Sequence, residues 1–317
     1  MGQQSGLSYA VIGTGAIGGF YGALLQRAGC EVHFLLRSDY EYVQQHGLVV
    51  NSVYGDFTLP EVNAYCDASA IPRCDVAIAA IKATQNHILE DILPRIVKPN
   101  GTILLLQNGI GVEPQLAKLL PDHYILSGLC FICSNKVGMG HVHHLDYGDI
   151  TIGAYADRYA PAGITKEMEA IASDFNIAGV PAKLTENLQL ARWRKLVWNI
   201  PFNGLSVVLD AKTDAMMAND ATRQLSADLM NEVLAAAAAC DCQIPTEFVP
   251  QMIDFTTKMQ PYLTSMKLDY DHKRSLEIEA IYANPLRLAK ERGVAMPKTE
   301  MLYQQLYFLD RLNSKSK

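Results

Sequence analysis

The chain has 317 residues, enough for two domains of ordinary size, each with a core of its own. Apolar residues make up 49% and charged residues 19%, which excludes a disordered or fibrous polymer, and a formal charge of −6 disfavours nucleic acid and anionic membrane as partners. A small anionic substrate would have to be met by local cations.

Seven cysteines, odd in number and scattered, argue for a reducing, cytoplasmic compartment and against a disulfide framework. No signal-peptide pattern opens the chain, and no uninterrupted apolar stretch reaches the ~18 residues of a membrane span. The opening MGQQSG has Gly6 where a myristoylation start requires Ser or Thr.

Tyr9–Ile12 reads as a first strand, followed at once by Gly13, Thr14, Gly15, Ala16, Ile17 and Gly18, spaced as G-x-G-x-x-G. A helix with Tyr21, Leu24 and Leu25 on its inward side comes next. Gly13 allows a tight turn, Gly15 removes a side chain where a pyrophosphate would approach, and Gly18 lets the helix pack close to the strand. Free N–H groups at the helix start would bind the phosphates. A glycine corner without a ligand is the competing reading, and the complete strand, turn, helix, strand order weighs against it.

The second strand, Glu31–Leu36, runs into Arg37 and Ser38. An acid at this point would accept from the ribose 2′-hydroxyl of NAD, whereas a guanidinium pairs with a 2′-phosphate through two parallel hydrogen bonds. The sequence therefore predicts NADP as cofactor, with Asp39 nearby leaving NAD open.

Strands three to five are expected at Val76–Ile81, Thr102–Leu106 and Ile125–Ile132, continuous apolar runs typical of a buried parallel sheet. Ligands in such sheets lie beyond the C-terminal strand ends, which singles out Lys82 after strand three and Asn108 after strand four. Two further β-like runs, HVHHL and DITIG, predict a hairpin at the sheet's end. Cys130 and Cys133 would point to opposite faces of a strand, and His141, His143 and His144 have no acidic partner at metal-ligand spacing, so no metal site is expected.

Beyond about Lys183 β-branched runs thin out and long helical patterns take over. The expected division is an α/β dinucleotide domain over 1–182 and an all-helical substrate domain over 183–317. Helices are predicted near Glu186–Leu209, Ala221–Cys240, Thr246–Met259 and Asp271–Arg292, the last capped by Gly293, with a disordered terminal NSKSK.

Within the first of these helices, Lys195, Asn199 and Asn203 recur every four residues and drift only about 40° per step, so they line one stripe. The remainder is apolar on nearly every side, which marks a buried helix whose polar groups need partners. Pro201 should kink it between the two asparagines. A second polar cluster, Ser265, Asp269, Arg274, Glu277 and Glu279, reads as a solvated helix face, with Glu277 and Ile281 on one side.

Taken together, GTGAIG, LLR, IKATQ, QNGIG, HLDYGDITIG, WRKLVWNIPFN and SMKLDYDHKRSLEIEAI resemble the ketopantoate reductase (2-dehydropantoate 2-reductase) family over nearly the whole chain. The resemblance implies a Rossmann domain, a doubly wound and mostly parallel sheet, followed by a helical domain of the 6-phosphogluconate dehydrogenase C-terminal type, with the active site in the cleft between them. It also implies NADPH-dependent reduction of 2-dehydropantoate to pantoate. Position by position, Lys195 matches the catalytic lysine and Glu277 the catalytic carboxylate. Asn108, Asn199, Asn203 and Ser265 match substrate-binding positions, and Lys82 matches the lysine near the nicotinamide; Asn108 also joins the cofactor set. Oligomeric state is not readable from the sequence, which leaves a homodimer open.

Leu276, Glu279, Tyr282, Ala283 and Pro285 depart from the family's T-E-I-D-x-I-N-G pattern. They leave a different branched 2-keto acid open as substrate. A non-catalytic NADPH sensor is the reading from another class, against which the Lys195 stripe argues.

Overall fold

The computed structural model describes residues 5–315, and the chain divides into two compact units. The sheet unit comprises the chain up to Gln107 together with Glu113–Leu188, and the helical unit comprises Asn108–Val112 together with the chain from Gln189 onward.

The sheet unit runs β1 (Ser8–Ile12), α1 (Ala16–Arg27), β2 (Glu31–Leu35), α2 (Tyr40–His46), β3 (Leu48–Ser52), β4 (Phe57–Leu59), β5 (Asn63–Tyr65) and β6 (Cys74–Ala79). It continues with α3 (Leu89–Ile96), β7 (Val97–Leu105), α4 (Glu113–Leu119), β8 (Tyr124–Gly138), β9 (His141–Ala154), α5 (Lys166–Ile177) and β10 (Ala182–Thr185). Strands β5-β2-β1-β6-β7-β8 lie side by side and all parallel, so chain order reverses between β1 and β6, the doubly wound Rossmann arrangement. Their buried runs, Phe34 of β2 included, form one apolar core with Phe20 and Leu24 of α1 and Phe175 of α5. Each such side chain contributes roughly 1.5–3 kcal/mol on burial.

Two features differ from the sequence expectation. HVHHL and DITIG are not a hairpin: they form one strand, β9, antiparallel to β8, with Tyr147 and Gly148 at positive φ between the two runs. Nor does β9 end the sheet, because β3 and β10 both pair with it in parallel and β4 follows β3. Through β10 the sheet unit reaches Leu188, so residues 183–185 belong to a strand of the sheet. The strands β3, β4, β5 and β10 are only three to five residues long, too short to show an alternation of their own.

The helical unit holds α6 (Leu188–Val208), α7 (Thr213–Ala218), α8 (Asp220–Ala239), α9 (Phe248–Lys258), α10 (Ser265–Asp271), α11 (Asn284–Glu291) and α12 (Pro297–Lys315). The helix expected over 271–292 is interrupted. Lys273 has φ +54°, Arg274 pairs with Asp269 at 2.9 Å, and the Leu276 amide donates to Asp310 at 2.9 Å. These partners take backbone and side-chain groups that a continuous helix would use. Helical backbone resumes at Ile278 with a π-helical turn, Glu279–Ala283, leading into α11, which ends at Glu291 with Arg292 as its C-cap and Gly293 following at φ +76°.

Of the terminal NSKSK, Asn313–Lys315 end α12 rather than being disordered, and residues 316–317 lie outside the described residues, as do the first four of MGQQSG. Among the described residues no helix is long and apolar enough to cross a membrane.

Candidate active site

The glycine turn sits where the chain order reverses. Gly13, at φ +91°, packs so closely on the end of β6 that a Cβ would come within 2.9 Å of the Ile81 amide nitrogen. A Cβ on Gly18 would meet the Gly13 carbonyl oxygen at 2.3 Å and Ala80 at 2.9 Å. Gly22, one turn on, would strike the Phe34 ring at 2.6 Å, so α1 presents a side-chain-free face to the sheet.

Gly15 is different: a Cβ there would meet nothing within 4 Å. It is the N-cap of α1, no side chain caps the helix start, and the first turn of Ala16, Ile17 and Gly18 holds no acid. Unpartnered N–H groups facing open space fit a pyrophosphate. Thr14 reaches across to the Leu35 carbonyl at 3.4 Å, linking the turn to the end of β2.

Beyond β2, Arg37 is exposed, whereas Asp39 is buried. Its carboxylate takes Lys136 at 2.6 Å, the Gly140 amide at 2.9 Å and the Ser38 hydroxyl at 2.9 Å. Burial alone would raise its pKa, but these donors hold it below the ordinary carboxylate value. The acid that left NAD open is therefore engaged inside the sheet unit, and Arg37 is the charged side chain exposed at this strand end. Lys82, half-buried, follows β6 and caps a short 3-10 helix over Ala83–Ile88.

In the helical unit α6 carries the polar stripe, with Pro201 inside the helix. Asn199 and Asn203 are buried and Lys195 half-buried, one turn apart from each other in succession. Trp198 donates to Thr256 at 3.1 Å and stacks obliquely on Phe202. The Asn203 carbonyl accepts from Ser206, whose hydroxyl lies 2.6 Å from that of Thr264. Thr264 caps α10, accepting from Lys267, and so brings Ser265, the first residue of that helix, next to the Asn203 turn.

Glu277 occupies the non-helical stretch before the π-turn, buried, with its carbonyl accepting from the Ile281 amide at 3.2 Å. It is not on a solvated helix face, and neither is Asp269, which is also buried. Asn108 belongs by its packing to the helical unit, because the Asn108–Val112 loop is hydrogen-bonded to the π-turn. The Ile110 amide donates to the Ala280 carbonyl at 3.0 Å, and the Asn284 side-chain amide donates to the Ile110 carbonyl at 2.7 Å. Sequence reading misses Asn284: its only local signal is a helical asparagine before Pro285, an ordinary helix start.

Thus Asn108, Lys195, Asn199, Asn203, Ser265 and Glu277 fall in one unit, and Gly13 to Gly18, Arg37 and Lys82 in the other. Two family models, "Ketopantoate reductase PanE/ApbA" and its C-terminal counterpart, match residues 9–157 and 187–310. The chain belongs to the ketopantoate reductase family. It is 57% identical to a 2-dehydropantoate 2-reductase of Nostoc sp. over 96% of both chains. A crystal structure of 2-dehydropantoate 2-reductase from Geobacter metallireducens is 42% identical, covers 95% of this chain and 99% of its own, and superposes with a TM-score of 0.90. A dimeric ketopantoate reductase from Staphylococcus aureus shares the fold at 22% identity and a TM-score of 0.82, over 97% of this chain and 100% of its own.

Proposed function

We propose that this ketopantoate reductase reduces 2-dehydropantoate to pantoate with NADPH, a step toward pantothenate and coenzyme A. The stripe of half-buried Lys195 and buried Asn199 and Asn203 on the largely apolar helix α6 carries the reading, since it sets one ammonium and two amides in line. The family match and the 57% identical reductase support the reaction class.

The sheet unit is the cofactor holder: the Gly13–Gly18 turn for the pyrophosphate, Arg37 for the 2′-phosphate, and Lys82 toward the nicotinamide end. Bound NADPH supplies the hydride. Lys195 holds a proton at Nζ for the ketone oxygen, on which negative charge builds during reduction, and so acts as general acid. Asn108, Asn199, Asn203 and Ser265 orient the carbonyl, carboxylate and hydroxyl of the substrate. Glu277 accepts from the substrate hydroxyl and fixes the ammonium.

Of the departures from the family pattern, Leu276 and Tyr282 are buried and Pro285 adjoins the π-turn, so these three have packing roles and support no other 2-keto acid. A homodimer is supported by an exposed apolar stripe on α12, Met301, Phe308 and Leu312, and a cytoplasmic location by seven cysteines that form no disulfide. The deciding assay follows NADPH absorbance with 2-dehydropantoate and repeats it with NADH. Turnover with NADPH is expected to be much the faster; no oxidation, beside brisk turnover of another branched 2-keto acid, would reject the substrate.

A further inference from the structure

The loop after β7 is held by a helix that has been widened to receive it. In the π-turn the Asn284 amide bonds the Glu279 carbonyl, five residues back, rather than that of Ala280. The next residue is Pro285, which has no N–H to offer Ala280 in its place. Ala280 is thus left with a carbonyl that the helix cannot satisfy, and the Ile110 amide takes it at 3.0 Å.

Asn284 completes the clamp. Arg287 donates to its Oδ1 at 2.8 Å, and since a guanidinium can only donate, the amide must turn its nitrogen toward the Ile110 carbonyl, which can only accept. Arg287 is itself braced by Glu279 at 2.6 Å. The fit is close enough to exclude side chains: a Cβ on Gly109 would lie 2.3 Å from the Ala280 oxygen and one on Gly111 2.8 Å from Asn284 Nδ2, both at φ near +90°. This geometry explains both glycines of QNGIG.

The geometry points to Asn284 as a positioning residue for the reductase reaction: it fixes the turn that carries Asn108 and so presents that side chain in one orientation. The inference rests on the proposed binding role of Asn108. Asn284→Asp keeps the shape but replaces the donor by an acceptor facing a carbonyl.

Steady-state kinetics of the full chain test this with Asn108→Ala, Asn284→Asp and the double variant. Each single change is expected to lower kcat/KM for 2-dehydropantoate about tenfold, mostly through KM, and the double variant to be no worse than Asn108→Ala alone. Amide exchange over 108–112 should accelerate in Asn284→Asp while α8 is unaffected. Normal kinetics in Asn284→Asp beside an impaired Asn108→Ala, or losses that simply multiply, would overturn the inference alone. Normal kinetics in Asn108→Ala would remove the Asn108 reading, and the inference with it. If Asn284→Asp does not fold, Arg287→Gln, at an exposed position, frees the amide to rotate and should give the same pattern more weakly.

Discussion

The hydroxyl of Tyr282 donates to the carbonyl oxygen of Ile200 at 2.8 Å, joining the π-turn to α6 one residue before Pro201. Tyr282 is fully buried, and burial holds its phenol protonated far above the usual range. The contact falls between Asn199 and Asn203, where the helix is weakened by proline. Gly204 makes room for it, since a Cβ there would lie 2.6 Å from the Tyr282 oxygen. Tyr282→Phe should cost about 1–2 kcal/mol in urea unfolding, and Gly204→Ala about 1–3 kcal/mol. An unchanged midpoint in Tyr282→Phe would show that the bond does not support the helix.

If Lys195 is the general acid proposed above, Lys195→Ala should lower kcat at least ~10²-fold. NADPH affinity, measured by fluorescence titration, should be kept. Near-normal turnover would remove Lys195 from the chemistry.

Arg37 and Asp39 leave β2 together but face different tasks. Arg37→Ala should raise KM for NADPH by at least about tenfold and leave that for NADH nearly unchanged, as a lost bidentate phosphate contact requires. Equal effects on both cofactors would place the 2′-phosphate elsewhere.

Glycines of the turn should separate by function. Gly18→Ala drives a Cβ into the Gly13 carbonyl and should lower Tm by several degrees. Gly15→Ala meets open space, so Tm should hold while NADPH binding weakens by about tenfold or more. Calorimetry with and without NADPH reads both; intact binding in Gly15→Ala would argue against pyrophosphate at this helix start.

Asp39 sets an acid limit on the sheet unit. Its folded pKa lies below the unfolded value of about 3.9, so its contribution is complete above that pH and disappears as pH falls through the folded pKa. Asp39→Asn should therefore be less stable than the parent at pH 7, by about 1–3 kcal/mol, with the gap closing below about pH 4. A gap independent of pH would mean that shape, not charge, matters there.

Local features of this protein could be read from residues alone. A strand, GTGAIG and an apolar helix start lie within twenty residues, so their glycine spacing is a local signal and the turn follows from sequence, although Gly13 and Gly18 pack against Ala80 and Ile81 far along the chain. The same holds for the spacing of Lys195, Asn199 and Asn203, which helical geometry turns into a stripe. Where a segment's partners are distant in sequence, pattern misleads. The helical periodicity of 271–292 hides a break made by Asp310 and Asp269, and with it the burial of Glu277. HVHHL and DITIG look like two strands until β8 runs alongside both. Tyr282 reads as a departure that leaves another substrate open, yet its hydroxyl fastens α6. Asn284 has no meaning until Ile110, 174 positions away, brings a carbonyl to it. Backbone preference and periodicity determined the elements; tertiary structure decided which unmet donors and acceptors find each other, because that depends on chain segments that sequence neighbours cannot specify.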